Sequence, residues 1–167
     1  MIHTIIFDWK RTLYNPDTKT LIEGTLELLN FLQTENIPLV LIGKGGDDMH
    51  TAVEKLGVKK YFSEVLFVQE KNDPELFAKH VLAYNSDHTF VIGDRVKSEV
   101  ELGNKIGATT IWVKQGKFAA EEPENELQTP HHTVGNLSEV LEYLKKISKN
   151  FSYNFIILEI QEFLLNF

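Results

Sequence analysis

The sequence predicts one α/β domain, a three-layer α/β/α sandwich around a mainly parallel sheet of five or six strands. Two observations carry that prediction. Short runs rich in β-branched residues alternate with amphipathic stretches of helical length, the pattern of a parallel sheet with crossover helices. The chain has 167 residues, 43% hydrophobic and 25% charged, enough to bury one core and too apolar for a disordered polymer.

Taken in order, Ile2 to Phe7 is the first expected strand and it ends at Asp8. Leu21 to Glu35 follows with Leu21, Ile22, Leu26, Leu28, Leu29 and Leu32 at helical spacing. Pro38 to Ile42 is a second, buried strand that runs into Gly43-Lys44-Gly45-Gly46. Asp47 or Asp48 can cap a helix through Val53 and Leu56, which Gly57 stops. Val65 to Val68 is the third strand, and Asn72-Asp73-Pro74 opens a helix through Leu82, with proline near the first helical position. Thr89 to Ile92 is the fourth strand, ending in Gly93-Asp94. A helix is expected from Lys97 to Ile106, broken by Gly107, and then a fifth strand from Thr109 to Val113. Beyond a polar stretch ending at Pro130, Leu137 to Ile147 forms the last amphipathic helix.

Residues 1–149 are expected to form the core. Residues 150–167 are an apolar extension, docked or interface-forming, since Glu159 and Glu162 interrupt it too early for a membrane span. The formal charge of −7 disfavours a nucleic-acid partner, because phosphate backbones repel an acidic surface. With no cysteine, a disulfide scaffold, a thiolate zinc site and a cysteine nucleophile are all excluded. The first residues lack the basic flank and long apolar stretch of a signal peptide, so a cytoplasmic protein without membrane attachment is expected. His131-His132 and the remaining histidines have no acidic cluster or mutual ligand spacing and are expected in solvent. Trp9 and Trp112 are expected in the core.

Ligands of an open parallel sheet bind beyond the carboxyl ends of its strands. Four such loops carry distinctive groups: Asp8 and Lys10, then Gly43 to Gly46, then Lys71, then Asp94 with Glu99. Two carboxylates and a lysine converging there suit a divalent cation and a phosphate, since magnesium takes hard oxygen ligands and commonly one or two protein carboxylates.

The ordered stretches Ile5 to Leu13, Leu41 to Gly45, Lys71 to Phe77, and Val91 to Asp94 with Glu99 resemble the haloacid dehalogenase-like (HAD) hydrolases, whose core is Rossmann-like. The resemblance spans about residues 1 to 147 and implies a magnesium-dependent phosphatase or phosphotransferase working through an aspartyl-phosphate on a phosphorylated substrate. It implies that Asp8 is the nucleophile and that Lys71 steadies it and the phosphate; Thr12, at the end of the same motif, the Gly43 backbone and Lys44 are further candidates to contact the phosphate. It places magnesium on Asp8, the Lys10 carbonyl and Asp94, with Glu99 behind. Two positions depart from the family pattern. Lys10 stands where the phosphatases carry an aspartate as general acid and base, and Gly43 stands where they carry a serine or threonine. A lysine is ordinarily protonated at neutral pH and takes no proton from water. Losing a positioned acid–base group costs about 10² to 10⁴ in rate. Two outcomes follow from Lys10. Either it occupies the cation's place between Asp8 and Asp94, leaving a non-catalytic binding or regulatory module, or turnover survives for substrates with good leaving groups. The chain has no room for a cap domain, so the site should lie open. A homo-oligomer would be one way to cover it, with the tail and the Gly116-Lys117-Phe118 loop as candidate contacts.

Overall fold

The computed structural model of the chain describes residues 2–71, 73–82 and 88–149. Thr4–Phe7 forms β1, buried at every position, as a strand covered on both faces must be. The chain then turns through Tyr14–Asn15 (β2) and Thr20–Leu21 (β3), a small antiparallel hairpin held by the Asn15 side chain, whose Oδ1 accepts from the Asp17 amide at 2.9 Å. Helix α1 covers Thr25–Thr34 and buries Thr25, Leu28, Leu29 and Leu32. Strand β4 (Leu39–Lys44), helix α2 (Asp47–Lys55), strand β5 (Glu64–Val68) and helix α3 (Glu75–Leu82) follow. Strand β6 (Thr89–Gly93) leads through a π-helical turn, Val96–Val100, into helix α4 (Glu101–Lys105). Strands β7 (Thr109–Val113) and β8 (His132–Val134) and a helix α5 over 137–149 complete the described chain.

The main sheet has six strands in the order β5-β4-β1-β6-β7-β8, all neighbours parallel. Its order reverses beside β1: the chain builds outward through β4 and β5, then returns to lay β6 on the other side. The crevice between the carboxyl ends of β1 and β6 is therefore the switch point where such sheets bind ligands. One apolar cluster lies under α1, α2 and α5 and includes Ile5, Phe7, Leu41, Ile92, Leu137 and Val140. A second, with Ile6, Val40, Ile42, Phe77 and Val91, packs the opposite face, which makes the three layers. Among the described residues no cap domain is inserted. Among the described residues no helix is long and apolar enough to cross a membrane.

Several expectations are corrected in detail. The helix expected from Leu21 begins at Thr25, because Leu21 pairs with Tyr14 in the hairpin, and Leu26 faces outward at 45% exposure. The helix expected from Lys97 opens instead as the π-helical turn. Between the polar stretch and α5 lies a further strand, β8, the sixth of the main sheet, which pairs Ile111 with His132. His131 is exposed, as expected, with its Nδ1 2.9 Å from Thr110 Oγ1, whereas His132 is half-buried and its ring bonds the Tyr143 hydroxyl of α5. His80 is likewise buried, its Nε2 3.5 Å from Glu64. Trp9 and Trp112 are buried as expected. The extension 150–167 lies outside the described residues.

Candidate active site

Asp8 is placed by the sheet itself. Phe7 registers with Ile92 of β6, and the Asp8 amide donates to the Ile92 carbonyl at 3.0 Å, so its side chain emerges where β1 and β6 part. One carboxylate oxygen receives the Lys71 ammonium and the other accepts from the Thr12 hydroxyl at 3.2 Å. Lys71, three residues beyond β5, is only 6% exposed and also pairs with Glu99. Glu99 reaches this point because the π-helical turn re-aims it after β6, and because Gly93 leaves the path open. A Cβ on Gly93 would lie within 2.9 Å of the Cβ, Cγ and Cδ atoms of Glu99. Such turns are frequent at functional sites. Asp94 heads the same loop, fixed from behind by the Trp112 indole, whose Nε1 donates to the Asp94 carbonyl at 3.0 Å.

Three buried carboxylates around one ammonium leave the cluster short of positive charge, and Asp8 and Asp94 respond. Burial pushes Asp8 up to about 6, with Glu99 adding to the rise and Lys71 pulling it back. Burial pushes Asp94 up to about 8, reinforced by Asp8 and Glu99. Burial would lower Lys71, but its two carboxylate partners outweigh that and hold its ammonium above the usual lysine range.

Asp94 Oδ2 and Glu99 Oε2 are buried with no hydrogen-bond partner among the described residues. Orphaned carboxylate oxygens are costly in a low-dielectric site unless something positive meets them. Together with Asp8 they make an all-oxygen donor set that fits magnesium, which needs few protein carboxylates and keeps several waters. Among the described residues no group of three or more histidine or carboxylate side chains is gathered into a ready-made metal cage.

Lys10, Gly43 and Lys44 take no part in these hydrogen bonds and ion pairs. Lys10 forms no ion pair among the described residues; the ammonium between the carboxylates belongs to Lys71. Lys44 is exposed and 4.0 Å from Glu70. Gly43 is buried, and a Cβ there would lie 2.6 Å from the Phe67 ring and 3.0 Å from Trp9 Cβ, so an aromatic ring fills the place of a longer side chain. The sequence reading missed Gln115, whose Nε2 donates to the Arg11 carbonyl at 3.0 Å and fastens the β1 loop to the β7 loop. Its position just beyond a strand's carboxyl end was the available signal.

The HAD-hydrolase-like family model matches residues 69–140, a stretch holding Lys71, Asp94 and Glu99. The glyceraldehyde 3-phosphate phosphatase of Methanopyrus kandleri is 26% identical over 102 residues, 58% of this chain and 44% of that one. Over these stretches the chain is similar to the HAD-like hydrolases. The match spans less than half the length of that curated phosphatase. A Listeria monocytogenes serotype 4b crystal structure superposes with a TM-score of 0.73 at 18% identity, covering 88% of this chain and 99% of that one. A magnesium-bound Bacillus subtilis protein assigned to the HAD-hydrolases superposes with a TM-score of 0.63 at 21% identity, over 75% of this chain and 57% of that one. Both share the HAD-like fold, and the curated relatives are phosphatases by name.

Proposed function

We propose that this HAD-like protein hydrolyses phosphate monoesters through an aspartyl-phosphate on Asp8. The observation that carries the reading is the position of Asp8 at the switch point, held between Lys71 and Thr12 and facing Asp94. Asp8, Asp94 and the Lys10 carbonyl would hold magnesium, with Glu99 behind. When bound, that ion supplies positive charge to the phosphoryl oxygens as negative charge builds on them.

In the first step an Asp8 oxygen attacks phosphorus, and the bond from phosphorus to the leaving oxygen breaks with its electron pair departing on that oxygen. Lys71 holds Asp8 in place and balances charge on the transferring group. Water then attacks the phosphorus of the aspartyl-phosphate, releasing phosphate and restoring Asp8. An alkoxide leaving group needs a proton that an aryl oxide does not. Lys10 stands where the family's phosphatases carry the aspartic acid that supplies it. Activated aryl phosphates are therefore the better substrates.

The test is release of 4-nitrophenol from 4-nitrophenyl phosphate, beside phosphate release from glycerol 3-phosphate and glyceraldehyde 3-phosphate, with and without magnesium. We expect magnesium-dependent turnover of the aryl ester, slower turnover of the alkyl esters by about 10² or more, and loss of activity in Asp8→Asn. Unchanged activity in Asp8→Asn overturns the reading. The Phe67 ring against Gly43 supports a second reading, a phosphate-binding module without turnover, because no side-chain hydroxyl can be presented there. Phosphate binding with no nitrophenol released would favour it.

A further inference from the structure

Beside the Asp8 loop the structure gathers cations on one aromatic ring. Phe118, in the 3₁₀ turn Gly116–Phe118 beyond β7, has the Arg95 guanidinium 4.2 Å, the Lys117 ammonium 5.6 Å and the Arg11 guanidinium 5.7 Å from its ring centroid. All three come from loops at the carboxyl end of the sheet. Arg11 adjoins Thr12, the hydrogen-bond partner of Asp8, and Arg95 adjoins Asp94.

The three cations are not equivalent. Arg95 is neutralised by Glu121, with Nε and Nη2 at 2.9 and 2.7 Å from one carboxylate oxygen. The other Glu121 oxygen accepts from the Val96 amide at 3.1 Å, so Arg95 and Glu121 form a closed structural pair. Arg11 and Lys117 have no carboxylate partner among the described residues. In a chain of net charge −7, two neighbouring cations left without acid partners amount to a local attraction for anions.

The backbone of Arg11 supplies an independent observation. Its φ is +67°, the left-handed region that glycine enters freely and a long side chain enters at a cost. The conformation is held from both sides: the Arg11 amide donates to the Tyr14 carbonyl at 2.7 Å, and Gln115 caps its carbonyl. A strained arginine kept where glycine would sit without strain points to a use for its guanidinium.

We infer that Arg11 and Lys117, braced on Phe118, form a second anion subsite that selects phosphate monoesters carrying another negative group, a carboxylate or a second phosphate. The inference rests on the hydrolase reading for its meaning in turnover, but the subsite is a binding property and can be measured without turnover. Guanidinium is suited to the task because its planar fork meets carboxylate or phosphate with two parallel hydrogen bonds. Phe118 limits the freedom of both cations and leaves their polar edges available, as ring-stacked cations do.

The experiment is calorimetric titration of the full chain, in magnesium, with 3-phosphonopropionate and with ethylphosphonate, which has the same phosphonate and chain length without the carboxylate. We expect 3-phosphonopropionate to bind about tenfold more tightly, the value of one charged hydrogen-bonding contact. In Arg11→Gly the preference should fall to less than twofold, and Arg11→Lys should restore part of it. Arg11→Gly also relieves the backbone, so its melting temperature should match or exceed that of the parent, which separates lost recognition from lost fold. Equal affinity for the two phosphonates, failure of both to bind, or a preference that survives Arg11→Gly together with Lys117→Gln overturns the inference. If the preference is absent while 4-nitrophenyl phosphate is still hydrolysed, the subsite fails and the hydrolase reading stands. If the preference is present without hydrolysis, the reverse holds.

Discussion

Asp94 shows at the scale of one residue how burying a carboxyl opposes stability. Its carboxyl is pushed up to about 8 from an ordinary 3.8, chiefly by burial and secondarily by Asp8 and Glu99. The folded chain therefore holds this proton more tightly than the unfolded chain does. Between those values the unfolded state is the one that has lost the proton, so stability falls as pH rises through the window. Asp94→Asn removes the titration. Without divalent cations the variant should melt above the parent at pH 8.5, at about 2–4 °C for each kcal/mol relieved, and close to it at pH 4. Magnesium should raise the parent's melting temperature at pH 8.5 and leave the variant's nearly unchanged. Thermal melts in chelator and in magnesium at both pH values check this. A variant less stable than the parent at pH 8.5 in chelator would mean that Asp94 is satisfied as it stands. The residue scale also separates the two lysines: Lys71, expected beside Asp8, pairs with Asp8 and Glu99, while Lys10, a candidate to lie between Asp8 and Asp94, forms no ion pair among the described residues.

At the scale of elements, the pairing of β4 with β5 decides what lies against Gly43. Gly43 and Phe67 register opposite each other on neighbouring strands, and the ring covers the glycine. Gly43→Ser should drive its Cβ into Phe67 and cost about 1–3 kcal/mol. Adding Phe67→Leu should recover part of that loss, because the colliding ring atoms are gone. Urea denaturation of the two single variants and the double variant should give a favourable coupling of about 1 kcal/mol, and additive losses would show that the ring moves aside freely. The elements legible in the sequence were those long enough to have a period. β1, β4, β5, β6 and β7 each present four to six residues, mostly apolar, with glycine, proline or polar residues at their ends. β2, β3 and β8 are two or three residues long and show no alternation to read. The π-helical turn escaped for a different reason, since an apolar spacing from Lys97 to Ile106 fits a wide turn and an ordinary one equally well. What settles it is the contact between Gly93 and Glu99, a tertiary fact.

For the whole molecule, topology gathers what the sequence scatters. Asp8, Lys71 and Asp94 lie far apart in the chain, and a switch point in the order β4-β1-β6 gathers them, which is why their convergence could be expected once a parallel sheet was recognised. Pairs between loops, such as Gln115 with Arg11 or Arg95 with Glu121, had no such rule behind them and could not be read. Among the described residues nothing caps the mouth of the candidate site. A small phosphate must be shielded from water during transfer, and a second copy of the chain is our proposed shield. Specific activity toward 4-nitrophenyl phosphate should then rise with protein concentration and level off where sedimentation shows association complete. A phosphorylated peptide, which covers the mouth with its own chain, should be turned over at a rate per molecule that is independent of concentration. Constant specific activity toward both across the association range would remove the oligomer from the mechanism and leave a site that works uncovered.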